Sequence, residues 1–133
     1  MKRPLATAGL HHVALRAKDA KATATFYMQI LGMRLEWQPD EQNYYLTSGS
    51  DNLAIHQGDI PQTAQRLDHI GFIIDRFEDV DIWHKFLLFK GVEITQAPRT
   101  HRDGARSFYF KDPDETVVQM IFHPPLSREK RTK

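Results

Sequence analysis

Apolar and polar positions alternate at the start of the chain and then change to helical spacing. Residues 10–17 (LHHVALRA) alternate and predict a strand with apolar residues on both faces. Asp19 fits a helix N-cap and Gly32 fits the C-cap, and the apolar stripe between them comprises Thr23, Phe26, Tyr27, Ile30 and Leu31. Turn signals at 38–40 and 48–51 separate three further predicted strands, MRLEW, NYYLTS and NLAIHQ. The first half therefore predicts a β-α-β-β-β unit.

The second half repeats this order of elements. RLDHIGFII predicts a strand, and FEDVDIWHKFLLF predicts a helix that ends at Gly91 and turns Val80, Trp83, Leu87 and Leu88 inward. VEIT, RSFYF and TVVQMIF predict three more strands, with breaks at 97–98 and at KDPDE. The pattern indicates an α+β fold of two tandem βαβββ modules that form curved mixed sheets around a metal or ligand cleft.

Matching positions in the two halves indicate duplication. His12 corresponds to His69, Gly32 to Gly91, and Asp51 to Asp114, which places His56 opposite Gln119. We expect a single domain over residues 1–133, with module one at about 9–57 and module two at about 67–123. Residues 58–66 form a polar connector, and the basic residues 126–133 form a solvated tail.

Composition and charge narrow the function. The chain has 133 residues, which suits one domain, and its 18 Lys and Arg nearly balance 17 Asp and Glu. This balance argues against nucleic acid or an acidic membrane as partner and favours a small-molecule site. The absence of cysteine excludes disulfides, thiolate metal sites and cysteine nucleophiles, so any metal takes nitrogen or oxygen ligands. No apolar stretch is long enough for a membrane span or a signal peptide, so we expect a cytoplasmic protein.

The segment LHHVALRAKDAKATATFYMQILGM (10–33) has His-Val in the strand, Asp before the helix, Phe-Tyr inside it and Leu-Gly-Met at its end. This pattern resembles the first module of the vicinal oxygen chelate superfamily, which includes glyoxalase I, extradiol dioxygenases, and fosfomycin- and bleomycin-resistance proteins. The segment SFYFKDPDETVVQMI (107–121) resembles the superfamily's usual ending, Phe-Lys/Arg-Asp-Pro-Asp-Gly before the last strand. The resemblance covers about residues 10–121 and leaves the reaction open.

The resemblance implies one divalent metal held by inward side chains of the first, fourth, fifth and eighth strands. The matching positions here are His12, His56, His69 and Gln119. His12 is the inward member of the His11–His12 pair, because the residue before the valine matches the superfamily's ligand. His11 is then expected to pack under the helix or to meet solvent.

Three imidazoles and an amide oxygen form a neutral ligand set that suits Zn, Ni, Co, Fe or Mn. Positions left open would let a substrate bind through two adjacent oxygens, and the metal would stabilise an enolate-like oxyanion. Most relatives carry Glu at the position of Gln119, and a glutamine neither adds charge nor accepts a proton. The carboxylate that a glyoxalase I base or a dioxygenase site needs is therefore missing.

Each candidate also has an ordinary structural interpretation. His12 and His69 can be hydrogen-bonded strand histidines, His56 a polar residue in an empty pocket, and Gln119 a pocket wall. We expect His84, His101 and His123 at the surface, and we expect Asp112 and Asp114 to hydrogen-bond their own turn. Four aromatic residues are either core or pocket residues: Trp37, Tyr45, Phe108 and Tyr109.

Two classes of function remain. The first is a metal-dependent lyase or isomerase acting on a small oxygenated substrate by proton transfer, with His56 as the catalytic base; a ring-cleaving dioxygenase-like reaction is an alternative. The second is a binding protein of the bleomycin-resistance type without turnover. We also expect a homodimer, in which His12 and His56 of one subunit meet His69 and Gln119 of the other, although pairing of the modules within one chain is equally compatible with the sequence.

Overall fold

The computed structural model describes residues 1–3, 5–6, 10–61, 67–124 and 127. It divides into two compact units, Met1–Ile60 and Pro61–Lys133. Among the described residues, each unit contains a four-stranded sheet whose strands follow the predicted βαβββ order. The predicted fold class is confirmed. The expected first residue of module one, Gly9, lies outside the described residues, as do most of the connector and most of the basic tail.

The first unit follows the predicted order of elements. Its elements are β1 (His12–Ala17), α1 (Ala20–Thr25) with a π-helical continuation (Phe26–Ile30), β2 (Arg34–Asp40), β3 (Asn43–Thr47) and β4 (Asn52–Gln57). Asp19 caps α1 by accepting a hydrogen bond from the Ala22 amide at 3.1 Å, and Gly32 ends the helical segment at φ +84°. The sheet order is β1-β4-β3-β2, and β1 runs parallel to β4.

The second unit repeats this architecture. Its elements are β5 (Ile70–Ile73), α2 (Asp79–Phe89), β6 (Ile94–Thr100), β7 (Arg106–Lys111) and β8 (Val117–Phe122). The sheet order is β5-β8-β7-β6, and β5 runs parallel to β8. Gly91 ends α2 at φ +76°, as the sequence predicts. In the described part of the chain, neither helix has the length and apolar character needed to cross a membrane.

The two predicted proline breaks are wrong. β2 runs through Pro39 and β6 runs through Pro98, and each strand has two register shifts against its neighbour. Proline cannot donate a ladder hydrogen bond, but β2 and β6 are edge strands, where the missing donor is tolerated at a bulge. The prolines therefore lie at register shifts within these strands and do not end them.

Each sheet buries one face against its own helix. In module one this core includes Leu15, Ala17, Tyr27, Leu46, Leu53 and Ile55; in module two it includes Val80, Leu87, Phe108, Phe110, Val118, Met120 and Phe122. The expectation that Leu88 points inward is wrong, because its side chain is 52% exposed. Burial of one such large apolar side chain contributes about 1.5–3 kcal/mol. The opposite face of each sheet carries the polar candidates.

The KDPDE segment forms the predicted turn. The carboxylate of Asp112 accepts hydrogen bonds from the amides of Asp114 and Thr116, both at 2.9 Å. Glu115 stands where the superfamily pattern has glycine, and its φ of +68° lies in the left-handed region. Glu115 therefore adopts a left-handed backbone conformation that usually requires glycine.

Candidate functional site

The open face of the first sheet carries His12, because alternate residues of β1 point to opposite faces. Leu15 and Ala17 are buried under α1, whereas His12 and Arg16 lie on the other face and are exposed. His11 precedes the strand, is exposed, and contacts the Ser50 carbonyl oxygen through Nδ1 at 3.1 Å. The expectation that His11 meets solvent is confirmed.

His12 is held by an asparagine that is itself held by a carboxylate. Nδ1 of His12 lies 2.6 Å from Oδ1 of Asn52, and Nδ2 of Asn52 donates to Oε2 of Glu36 at 2.6 Å. A carboxylate only accepts, so the amide nitrogen of Asn52 faces Glu36 and its oxygen faces His12. Nδ1 of His12 therefore carries the proton, and Nε2 keeps its lone pair.

His56 has the same kind of support. Its Nδ1 lies 2.6 Å from Oδ1 of Asn43, and Nδ2 of Asn43 donates to both carboxylate oxygens of Asp40 at 2.9 and 3.1 Å. The same reasoning places the proton on Nδ1 and leaves Nε2 of His56 as an acceptor.

An aromatic pair lies beside His56. Tyr45 meets the imidazole edge to face at 5.7 Å, and Trp37 stacks on Tyr45 at 5.1 Å with 25° between the rings. Trp37 is 59% exposed, so these two rings belong to the open face and not to the core.

The strand register corrects the pairing of His56 with Gln119 in the repeat. In β1 and β4, His12 lies opposite Asn52 and Arg16 lies opposite His56. In β5 and β8, Gly71 lies opposite Gln119. When the two modules are aligned on His12 and His69, Gly71 corresponds to Ala14, whose partner in β4 is Ala54. The residue of module one that corresponds to Gln119 is therefore Ala54.

His56 is consequently separated from His12 along the strands. Its register partner, Arg16, is four residues beyond His12 in β1, a distance of roughly 13 Å at the rise of an extended strand. The structure does not bring the two imidazoles side by side, and the strand register does not favour His56 as a ligand of the same ion as His12. Its ligand role stays a prediction.

Module two joins His69 and Gln119 through Tyr109. Nδ1 of His69 lies 2.6 Å from the carboxylate of Asp68, so this nitrogen also carries the proton. The Tyr109 ring meets His69 edge to face at 5.3 Å, and the Tyr109 hydroxyl accepts from Nε2 of Gln119 at 2.9 Å. Oε1 of Gln119 is therefore left as an acceptor.

Gly71 provides room for that oxygen. A Cβ at position 71 would lie 3.2 Å from Oε1 of Gln119, closer than an ordinary van der Waals contact. The glycine opposite Gln119 in β5 thus has a packing reason that was not predicted from the sequence.

Beside Gln119 lies a cavity of about 460 Å³ whose lining is rich in basic and imidazole side chains. It is lined by His101, Arg102, Asp103, Ala105, Gln119, Ile121 and His123. Nδ1 of His101 lies 3.2 Å from the Arg99 guanidinium, which only donates, so Nε2 of His101 donates to the buried Ser107 hydroxyl at 2.8 Å. His101 and His123, which were expected at the surface, are half-buried and line this open cavity.

The sequence offered only a weak signal for this cavity, since its histidines lie in a loop and after the last strand. His84 was also expected at the surface; it is partly buried and contacts the core ring of Phe108 at 5.4 Å. Its position on the flank of α2 explains this contact. Of the four aromatics, Phe108 is a core residue, whereas Tyr109, Tyr45 and Trp37 lie on the open faces.

Imidazole nitrogens and an amide oxygen are donor types that suit a divalent metal. His12 and His69 each present Nε2 with the other nitrogen held, the arrangement usual for metal-bound histidine. Gln119 offers an amide oxygen, and Ala54 offers no ligand atom. Within the described ranges, no three or more His, Cys, Asp or Glu side chains are gathered into a group that could hold an ion.

Comparisons with known proteins agree with this architecture. Residues 9–120 match the Glyoxalase/Bleomycin resistance protein/Dioxygenase superfamily. Metallothiol transferase FosB of Staphylococcus saprophyticus is 26% identical over 107 residues, which are 79% of this chain and 70% of FosB. The crystal structure of the fosfomycin resistance protein FosX of Listeria monocytogenes superposes with a TM-score of 0.74 at 25% identity, covering 89% of this chain and 95% of FosX.

Lactoylglutathione lyase of Agrobacterium tumefaciens shares the fold, with a TM-score of 0.73 at 20% identity over 87% of this chain and 94% of the lyase. The matched residues include both modules and every candidate ligand. The chain therefore belongs to the Glyoxalase/Bleomycin resistance protein/Dioxygenase superfamily, also called the vicinal oxygen chelate superfamily.

Proposed function

We propose that this protein is a metal-dependent enzyme of the lyase or isomerase type that acts on a small oxygenated substrate. Its divalent metal, one of Zn, Ni, Fe, Mn or Co, is held by His12, His69 and Gln119. One observation carries the proposal: an oxygen acceptor holds Nδ1 of His12 and of His69, so each ring presents Nε2 as a ligand atom.

Three protein ligands leave coordination positions for substrate, as in other catalytic metal sites. When bound, the metal supplies Lewis-acid stabilisation of negative charge on a substrate oxygen. The neutral ligands preserve the metal's positive charge for that purpose. The hydrogen bond from Nε2 of Gln119 to the Tyr109 hydroxyl fixes the position of the Gln119 amide oxygen.

His56 is the proposed catalytic base for a substrate that extends from the metal toward it, since the strand register separates His56 from His12 by roughly 13 Å. It lies on the open face of β4 two residues beyond Ala54, and its Nε2 is free to accept a proton. The Asn43–Asp40 pair holds the ring so that this nitrogen faces away from β3. Arg16, opposite His56 in β1, adds a positive charge that attracts an anionic group of the substrate.

The cavity beside Gln119 supports a substrate with anionic or strongly polar oxygen groups. Arg102 lines it, and Arg99 contacts His101 at its wall. Relatives named for fosfomycin resistance and for lactoylglutathione are similar to this chain, and these names indicate small oxygenated compounds as the first class to test. We also propose that the protein is a homodimer and that it acts in the cytoplasm.

One observation favours a second candidate function, binding without turnover in the manner of bleomycin-resistance proteins. The stacked Trp37–Tyr45 pair exposes a flat aromatic surface on the open face of module one. Such a surface would stack on a planar ligand. The ring-cleaving alternative has less support, because the proposed ligands include no carboxylate.

The test is turnover by metal-loaded protein of two probes, the hemithioacetal of methylglyoxal with glutathione, and fosfomycin with a thiol. We expect metal-dependent isomerisation of the hemithioacetal, and we expect His56→Ala to abolish it while metal stays bound. Transfer of a thiol to fosfomycin without this isomerisation would contradict the lyase or isomerase type. His84→Ala is the matched control, because it removes an imidazole on the helix-covered side of module two. Full activity of His56→Ala would remove the proposed base, and binding without turnover would favour the second function.

A further inference from the structure

The open face of module one contains two copies of one hydrogen-bonded arrangement. In each, a carboxylate of β2 accepts from an asparagine amide, and the asparagine oxygen faces Nδ1 of a histidine. The members are Glu36, Asn52 and His12 in one, and Asp40, Asn43 and His56 in the other. We call the first arrangement the His12 relay.

We propose that Glu36 and Asn52 are positioning residues that fix His12 in the Nδ1–H tautomer and so present Nε2 to the metal. This inference rests on the proposed function, in which His12 is a ligand. It goes beyond it by assigning roles to two residues that touch no metal and no substrate.

The direction of each hydrogen bond carries the argument. If Asn52 were turned so that its amide nitrogen faced His12, its oxygen would face the carboxylate of Glu36, and two acceptors would meet without a proton. Glu36 therefore determines the orientation of Asn52, and Asn52 determines the tautomer of His12. Both contacts are short, at 2.6 Å, as expected where one partner is charged or strongly polarised.

The exposure of these groups indicates that the relay serves positioning and not folding. His12 and Glu36 are exposed, and hydrogen bonds between exposed groups contribute little to stability. β2 is an edge strand with two register shifts, and such bulges re-aim side chains. This irregular strand brings the Glu36 carboxylate to the β4 residue directly opposite His12.

The experiment compares the tautomer of His12 and the affinity for Zn²⁺ alone in four proteins. Long-range ¹H–¹⁵N NMR correlations of the metal-free protein report which ring nitrogen is protonated, at a pH about two units above the ordinary histidine pKa. The proteins are the wild type, Asn52→Leu, the double variant Glu36→Gln with Asn52→Asp, and the control Glu93→Gln, which removes one carboxylate from module two.

We expect the wild type to carry its proton on Nδ1 of His12. Asn52→Leu should lose this preference and bind Zn²⁺ about 10- to 100-fold more weakly, the usual effect of removing such a partner. The double variant exchanges the two groups: the new amide at 36 donates to the new carboxylate at 52, which still accepts from Nδ1. It should therefore recover the tautomer and most of the affinity, and Glu93→Gln should match the wild type.

An unchanged tautomer and affinity in Asn52→Leu would overturn the relay, as would a double variant no better than Asn52→Leu. Thermal unfolding of each variant shows whether it is folded. A wild type that holds the Nδ1–H tautomer but binds no Zn²⁺ would contradict the proposed function without contradicting the orienting contact, so the two failures are distinguishable.

Discussion

At the scale of single residues, His12, His56 and His69 have one feature in common: an oxygen acceptor lies 2.6 Å from Nδ1 of each ring. The Gln119 side chain is also held through one atom, because its amide nitrogen donates to the Tyr109 hydroxyl and its amide oxygen stays available as an acceptor. A purely structural role for the three histidines would not require that Nε2 be the unbound nitrogen in every ring. These contacts are the structural support for a metal site in this chain.

The amide at position 119 gives a direct prediction. Gln119→Glu should tighten binding of a divalent metal on the order of tenfold, because an anionic oxygen adds Coulomb attraction in a partly dry site. Competition with a chelator measures the affinity. Gln29→Glu is the matched control, since it adds the same charge at an exposed position of module one. Equal affinities in the wild type and Gln119→Glu would place Gln119 outside the ligand set.

Glu115 offers a second prediction at the residue scale. Its positive φ costs a residue with a Cβ about 1 kcal/mol, and its ion pair with Lys111, at 3.8 Å, returns little. Glu115→Gly should therefore raise the free energy of unfolding by about 0.5–1 kcal/mol in urea titrations. Glu115→Ala removes the same carboxylate but keeps the Cβ, and it should not stabilise. Equal effects of the two substitutions would exclude the backbone as the cause.

At the scale of elements, the edge strands differ most from the sequence prediction. Turn propensity indicates a break at each Pro, but propensity does not reveal that a strand lies at a sheet edge, where a proline bulge is tolerated. In β2 this matters for the proposed site, because the strand supplies Glu36, Trp37 and Asp40 to the open face. The regular elements were predictable because their periodicity and caps are local signals.

An ion pair between Arg106 and Asp81 links the helix of module two to its sheet. Arg106 in β7 binds both carboxylate oxygens of Asp81 in α2 at 2.8 Å, and the hydrogen bond from this cation lowers the pKa of Asp81 below its ordinary value. A lowered folded-state pKa gives stability that is present above the unfolded value and is lost as pH falls through the folded value. Because Asp81 is nearly half exposed, we discount the pair to about 1 kcal/mol.

Asp81→Asn should therefore lower the free energy of unfolding by about 1 kcal/mol near neutral pH. The difference from the wild type should be complete above the ordinary aspartate pKa and should disappear as the pH falls through the lowered folded-state pKa of Asp81, where the wild-type carboxylate becomes protonated. Urea unfolding followed by the fluorescence of Trp83, in a Trp37→Phe background, reports on α2. A difference that is the same at neutral and acid pH would show that the ion pair does not stabilise the helix.

The candidate site was predictable only in part. His12 and His69 could be selected because they occupy equivalent strand positions next to Val or Ile. The pairing of His56 with Gln119 failed because it was aligned on acidic turn residues. Turns satisfy their own backbone, as Asp112 does, whereas the register is determined by pairing with β1 and β5. No sequence pattern indicated that Asn52 and Asn43 contact the histidines, because these contacts form between strands.

At the scale of the whole molecule, the repeat places one proposed histidine ligand in each module, His12 in the first and His69 in the second. A site that needs both modules can form within one chain or between two chains, and a two-fold homodimer creates two such sites at once. The exchanged arrangement is the prediction that we retain from the sequence. It requires a dimer for function, which the arrangement within one chain does not.

Mixing two inactive variants distinguishes these arrangements. His12→Ala and His69→Ala chains are mixed, mildly unfolded and refolded, so that heterodimers form. In an exchanged heterodimer one of the two sites combines both intact ligands, so metal binding by the purified heterodimer should return to about half the wild-type level. Homodimers of each variant are the controls. No recovery in demonstrated heterodimers would show that each chain builds its site alone.

The most direct test of the account is the location of a bound metal. Crystals grown after incubation with Zn²⁺ or Ni²⁺ are measured at the metal's absorption edge, and elemental analysis gives the stoichiometry. The account predicts an anomalous peak about 2.0–2.2 Å from Nε2 of His12 and of His69. A protein that stays metal-free with Zn²⁺, Ni²⁺, Mn²⁺ and Fe²⁺, or a metal bound away from these two rings, would contradict it.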